Sequence, residues 1–298
     1  MSLTNENFSI ALGSGGARGL AHIGILKTLK QNGINIEALS GTSMGAVIGA
    51  FFAADKLEEA EEYYRSLKVS DVIFNFDPVF PSSGLINGKK VMQLLRDVIG
   101  DIYVFDTKIP FYPVATELDT GEWVVLQDCK LWEAIRASIS IPGLFKPFKI
   151  KGKYYVDGGI TNPVPVNVLK ERHEKTKTIA VNLNLKPTDY KRAWIKETDN
   201  ETSFLLNKFP RLKKIAKKIG INGIRNKKEK DPNILHVLNR TFHIVQYELA
   251  WRSLEFDKPN FLLTPNLSDV VFIEFHKAAK SIAEGERVAR EFVESLKN

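Results

Sequence analysis

The sequence predicts an α/β fold in which a mostly parallel central sheet is covered by helices on both faces. Three observations point there. Strand-like and helix-like hydrophobic periods alternate through the first half of the chain, and two glycine-rich turns each separate an apolar strand from a helix. The composition, 44% hydrophobic and 26% charged, is that of a globular protein rather than a collagenous, disordered or coiled-coil one.

Residues 8–12 read as a short buried strand, followed by a glycine-rich turn over residues 13–19. Residues 20–30 place Ile23, Leu26, Lys27 and Lys30 at helical intervals and end near Gly33. A second strand over residues 34–39 runs into Gly41-Thr42-Ser43-Met44-Gly45 and then a small-residue helical run, residues 46–54. Further strands are expected at residues 111–115, 123–126, 148–156, 179–183 and 261–263. Helices are expected at residues 89–98, 131–137, 164–170 and 274–296. The chain shows no internal repeat.

Several classes fall away on composition. The single cysteine, Cys129, cannot form an internal disulfide or a cysteine-rich zinc site, so a reducing, cytoplasmic setting is expected. Residues 1–7 are polar and lack the form of a secretory signal. The longest apolar run, residues 44–54, is 11 residues long and contains two glycines, short of the roughly 18 needed to span a bilayer.

The net charge of +7 belongs to one segment, since residues 208–230 hold ten Lys and Arg against the single acid Glu229. Leu212, Ile215, Ala216 and Ile219 recur there at helical intervals, with Lys213, Lys214, Lys217 and Lys218 between them. That pattern suits a helix lying on an anionic membrane, which would put the protein peripherally at the inner membrane face. It equally suits a solvated helix covering the sheet. Nucleic acid is not the expected partner, because no aromatic platform accompanies the charge.

Gly41-x-Ser43-x-Gly45 between strand and helix has a mechanical rationale. A sharp turn lifts the serine hydroxyl above the sheet edge, and flanking glycines remove Cβ atoms that would collide there. A serine before a helix is also a common N-cap. The upstream turn, Gly13 to Gly19, can be read three ways. It resembles a dinucleotide-binding loop, with Glu37 as the ribose acid, although Arg18 stands where a small residue is required. Exposed amides of Gly15 and Gly16 would also serve as an oxyanion hole. The third reading is a tight turn packing strand on helix.

A nucleophilic serine needs a proton acceptor. His173, His236, His243 and His276 follow Asp157 in the order of an α/β-hydrolase triad, but none has a supporting motif, and His22 reads as a support for the glycine loop. Only two strands precede residue 43, fewer than that fold builds. Asp157 ends a strand and enters Gly158-Gly159, where permissive glycines let a carboxylate point off the strand end; Asp-Gly is also an ordinary turn. Ile139, Ile141, Leu144 and Phe145 could line an acyl pocket or pack in a core, as could Phe74, Phe76 and Phe80.

Four blocks taken in order resemble the patatin-like phospholipases. They are Ala11 to His22 around Gly13-Ser14-Gly15-Gly16-Ala17-Arg18-Gly19; Gly41-Thr42-Ser43-Met44-Gly45-Ala46; Arg136-Ala137-Ser138 with Ile141-Pro142-Gly143-Leu144-Phe145; and Asp157-Gly158-Gly159. They cover about residues 8–166, with a weaker likeness near Gly285. The resemblance implies a patatin-like three-layer sandwich forming one catalytic domain over residues 5–298, with residues 186–230 as a basic helical insert. It implies a lipid acyl hydrolase acting through an acyl-enzyme, needing neither cofactor nor metal, with a lipid or other ester as substrate. Ser43 would be the nucleophile, Asp157 the base, and Gly15, Gly16 and Arg18 the oxyanion hole. Gly13, Gly19, Gly41, Gly45, Gly158 and Gly159 would support the motifs. Ser14 departs from the family, whose loop often has glycine there. The alternatives are a dinucleotide-binding enzyme and a non-catalytic lipid-binding module.

Overall fold

The computed structural model of the chain describes residues 6–68, 88–186, 188 and 234–297. The basic helical pattern with Lys213, Lys214, Lys217 and Lys218, the phenylalanines 74, 76 and 80, and the His236 side chain lie outside the described residues.

The strands are β1 (Asn7–Leu12), β2 (Asn35–Thr42), β3 (Phe111–Glu117), β4 (Trp123–Val125), β5 (Phe148–Ile150), β6 (Lys153–Asp157), β7 (Lys177–Val181) and β8 (Phe261–Leu263). They form one sheet in the order β5-β6-β3-β2-β1-β7-β8, with β4 also on β3. The run from β3 through β2, β1 and β7 to β8 is parallel, whereas β4, β5 and β6 pair antiparallel. The single strand expected at residues 148–156 is a hairpin. Lys151 and Gly152, at φ 47° and 91°, turn the chain back, and left-handed backbone of this kind breaks a strand.

The helices are α1 (Ala21–Gln31), α2 (Met44–Ala53), α3 (Leu57–Ser66), α4 (Lys89–Ile99), α5 (Leu131–Ser138), α6 (Val166–Arg172), α7 (Ile234–Asp257) and α8 (Ala278–Ser295). The sequence reading missed α3, which buries only Leu57, Ala60 and Tyr64 yet fits a helix electrostatically, with Glu58 and Glu59 in its first turn and Arg65 in its last. Helix α6 begins two residues later than expected because Pro165 sits at its N-cap.

Side-chain alternation along the strands sorts the core into two layers. Phe8, Ile10 and Leu12 of β1, with Ile179 and Val181 of β7, face the large cluster built with α1, α2, α5 and α8. Ala11, Ala38 and Ala180 face the other way, toward Val166 and Leu169 of α6 and Ala250 and Leu254 of α7. The sheet is therefore the middle of three layers. On the first face α1 crosses α8 at glycines: a Cβ on Gly24 would strike the Ile282 carbonyl, and one on Gly285 the Ala21 carbonyl. Among the described residues, no helix is long and apolar enough to cross a membrane.

Candidate active site

Strands β1 and β2 end side by side, Leu12 opposite Gly41, so the two glycine turns emerge together at the C-terminal edge of the sheet. That edge is where open α/β sheets place ligands. Ser43 stands between β2 and α2 at φ 56° and ψ −121°, a conformation that costs a non-glycine residue about 1–3 kcal/mol and persists only where its surroundings hold it.

The restraints are visible. The Ser43 amide donates to Ser138 Oγ at 2.9 Å, and Ser138 Oγ in turn donates to the Val114 carbonyl at 2.6 Å. The Ser43 carbonyl accepts the amides of Ala46 and Val47 at 2.9 and 3.1 Å. A Cβ on Gly45 would collide with the Leu12 carbonyl, and one on Gly41 would stand 2.6 Å from the Gly45 carbonyl, so the turn closes only around glycine.

Strand β6 lies antiparallel on β3 with Asp157 opposite Ala115, which carries the end of β6 to the Ser43 turn. Ser43 Oγ donates to Asp157 Oδ2 at 2.6 Å, and the Gly159 amide donates to Asp157 Oδ1 at 2.8 Å. The Asp157 amide donates to the Ser140 carbonyl at 3.0 Å. Asp157 is fully buried and Ser43 is 4% exposed. Among the described residues no cation pairs with this carboxylate. Burial pushes its pKa up from 3.8 to about 7, against the downward pull of the Ser43 hydroxyl and the Gly159 amide.

The first glycine turn becomes a short 3-10 helix, Gly16–Leu20, with Gly16 in left-handed backbone at φ 56°. The amides flanking the loop are bonded, Ser14 to the Pro163 carbonyl at 2.9 Å and Ala17 to the Phe272 carbonyl at 2.7 Å. Among the described residues, the amides of Gly15 and Gly16 donate to no other group. Two buried side chains brace the loop from behind. The Arg18 guanidinium donates to the carbonyls of Leu183 and Val270, both at 3.3 Å. His22 Nε2 donates to the Gly13 carbonyl at 2.8 Å, and burial lowers this imidazole to about 4, so it is neutral. Ser14 Oγ donates to Asn184 Oδ1 at 3.3 Å. Gly13, Gly19 and Gly158 each sit where a Cβ would clash with a neighbour: the Val181 carbonyl, Met44 and the Val114 carbonyl, respectively.

The other histidines are engaged elsewhere. His173 Nε2 is 2.9 Å from the Tyr112 hydroxyl, and His276 lies in the short 3-10 turn before α8. His243 packs edge-on against Phe272 at 5.2 Å, and burial lowers it to about 3. Glu37, the acid of the dinucleotide reading, lies on β2.

Ser43 opens onto an apolar cavity of about 140 Å³. Ile139, Ile141, Leu144 and Phe145 all line it, joined by Met44 and Val47 of α2, Tyr63, Tyr64 and Leu67 around the end of α3, Val91 and Leu94 of α4, and Phe272, Ile273 and Phe275. Sequence reasoning found the first four but not the rest, which come from four separate stretches of chain. It also gave Ser138 no role, although Arg136-Ala137-Ser138 had been singled out as a block. Among the described residues, no cluster of three or more His, Cys, Asp or Glu could hold a metal ion.

A three-layer α/β sheet with this serine turn at its strand ends is the architecture of a lipid hydrolase family. The model of that family, patatin-like phospholipase, matches residues 10–170, and the chain belongs to it. The chain is similar to an uncharacterized NTE family protein of Mycobacterium bovis, 30% identical over 98% of this chain and 93% of the relative. It is also similar to the human patatin-like phospholipase domain-containing protein 6, 30% identical over 58% of this chain. Neuropathy target esterase sws of Drosophila melanogaster is 28% identical over 56% of this chain. The match spans only 13% and 12% of those two animal proteins.

Proposed function

We propose that the protein is a serine acyl hydrolase that cleaves carboxylic esters of lipids through a Ser43–Asp157 dyad. The observation that carries this reading is the 2.6 Å hydrogen bond from a backbone-strained serine hydroxyl to a buried carboxylate. An aspartate is ordinarily a weak base, with a pKa of about 3.9, but one raised to about 7 is matched to proton transfer near neutral pH.

Asp157 Oδ2 takes the hydroxyl proton as Ser43 Oγ attacks the ester carbonyl. The oxyanion that forms is received by the Gly15 and Gly16 amides, with the buried Arg18 side chain fixing the turn that aims them. Collapse of the tetrahedral species breaks the bond to the alcohol, which leaves with the proton held by Asp157. The acyl-enzyme then reacts with water, whose proton passes to Asp157 and on to Ser43 as the acid departs. The apolar cavity beside Ser43 suits the acyl chain, since a cavity of about 150 Å³ accommodates a benzene-sized hydrocarbon.

Hydrolysis of a short p-nitrophenyl ester by the parent, Ser43→Ala and Asp157→Ala proteins tests this. Both variants lose turnover by at least about 1,000-fold while remaining folded. Full activity in folded Ser43→Ala removes the mechanism.

The basic segment supports a second proposal, that the enzyme docks on anionic membrane through Lys213, Lys214, Lys217 and Lys218. Each Lys or Arg near such a surface contributes about 1 kcal/mol. Flotation with anionic but not with neutral liposomes is the expected result, and equal flotation with both contradicts it.

A further inference from the structure

The buried face of α7 carries His243, Gln246, Ala250 and Leu254, a helical stripe in which Gln246 is polar and only 3% exposed. Among the described residues its carboxamide has no hydrogen-bond partner. Polar groups in such places are nearly always bonded to protein or to ordered water, and this carboxamide is not fully sealed from solvent. A carboxamide kept in such a place calls for something small and polar to meet it.

Its position says what. The Gln246 carboxamide lies against the Cα of Gly159, in the space a Cβ would fill, and Asp157 Oδ1 stands 2.9 Å from that same point. Gly159 therefore leaves room for an amide to approach the carboxylate. The apolar cavity is on a different set of residues: Gly16, Ser43, Met44, Ile139 and Phe145 line it, while among the described residues Asp157, Gly159 and Gln246 do not.

We propose that Gln246 is a positioning residue for the second half of the reaction, holding the attacking water beside Asp157. The inference rests on the acyl-hydrolase reading above. In the resting site Asp157 Oδ2 accepts from Ser43 and Oδ1 from Gly159. Once Ser43 is acylated it has no proton to donate, and Oδ2 is open to water. A water bonded to Oδ2 alone is free to swing; a second bond to the carboxamide fixes its lone pair on the acyl carbonyl. The water proton goes to Asp157, the new C–O bond forms, the bond to Ser43 Oγ breaks, and Oγ regains the proton from Asp157.

The test uses the full chain with Gln246→Met, similar in size but without the amide, and Gln246→Asn, which shortens its reach. Rapid mixing with a p-nitrophenyl ester gives the burst, which reads acylation, and the steady state, which reads release; a fluorophosphonate gives the rate of Ser43 labelling. Both variants are expected to keep burst and labelling rates within about twofold. Their kcat and KM should fall together by about tenfold, leaving kcat/KM unchanged. Gln246→Glu places a second acid near Asp157 and should move the ascending limb of the kcat profile to higher pH. Equal losses in burst and turnover, or no loss in turnover, overturn the proposal. Absence of burst and label in the parent refutes the acyl-enzyme itself, and this inference with it.

Discussion

Ser138 holds Ser43 in place through one oxygen: its Oγ accepts the Ser43 amide at 2.9 Å and donates to the Val114 carbonyl at 2.6 Å, tying the strained turn to β3. Ser138→Ala leaves a buried N–H and a buried carbonyl without this partner. The expected loss is about 1–3 kcal/mol in chemical denaturation, with kcat lowered about tenfold as Ser43 loosens. Ser138→Thr, which keeps the hydroxyl, should recover most of both. Unchanged turnover in Ser138→Ala would mean that the turn holds its shape without this bond.

The pH dependence of kcat/KM follows from Asp157. A base must be ionised to accept a proton, so activity should rise with pH along a limb centred near 7, where burial has placed this group. Assay of a soluble ester from pH 5 to 9 reads it. A limb near pH 4 would indicate a solvated carboxylate.

The same burial makes a stability prediction of definite sign. The pKa of Asp157 is about 7 in the folded chain and near 3.8 in the unfolded one, so folding favours the protonated form. Its contribution to stability is full below pH 3.8, declines as pH rises toward 7, and stays at its minimum above that. Asp157→Asn removes the penalty of a buried charge. The variant should be more stable than the parent at pH 8, by up to about 4 kcal/mol, and the gain should vanish toward pH 4. Thermal melts across pH read the trend, and a gain independent of pH contradicts it.

Leu144, on the half-buried wall of the cavity, offers a test of acyl binding. Leu144→Trp fills part of the space beside Ser43. Excluding two methylenes from burial costs about 1.6 kcal/mol, so kcat/KM for an octanoyl ester should drop about fifteen-fold while that for an acetyl ester holds. A parallel fall for both esters would place the acyl chain elsewhere.

Gly285 tests the helix layer away from the chemistry. Alanine is the better helix former by about 1 kcal/mol, yet its Cβ would meet the Ala21 carbonyl across the α1–α8 crossing. Gly285→Ala should therefore destabilise by about 1–3 kcal/mol without changing the pH profile. A stabilised variant would show that the crossing can relax.

The sequence made legible what depends on local chemistry. Gly41 and Gly45 announce a serine turn because no side chain fits beside the Gly45 and Leu12 carbonyls, and alternating apolar residues announce β1, β2 and β7. Properties set by distant partners were hidden. Nothing near residue 157 states that β6 runs antiparallel on β3, the pairing that brings Asp157 to Ser43. The Phe272 and Leu94 walls of the cavity, the Ser138 bridge and the approach of Gln246 to Gly159 likewise exist only after the chain has folded. A trace of Gln246 was present, as a polar residue interrupting the stripe of Ala250 and Leu254, but periodicity alone does not say what it faces. The hairpin at Lys151-Gly152 was missed because apolar residues on both sides read as one strand.

The central claim is that Ser43 becomes covalently acylated, and its most direct test is active-site labelling. The folded parent protein, treated with a fluorophosphonate and digested, should yield one modified peptide with the adduct on Ser43. Labelling should be lost in Ser43→Ala and slowed by at least about 100-fold in Asp157→Asn. An unlabelled parent, or an adduct on any other residue with Ser43 untouched, would contradict the account.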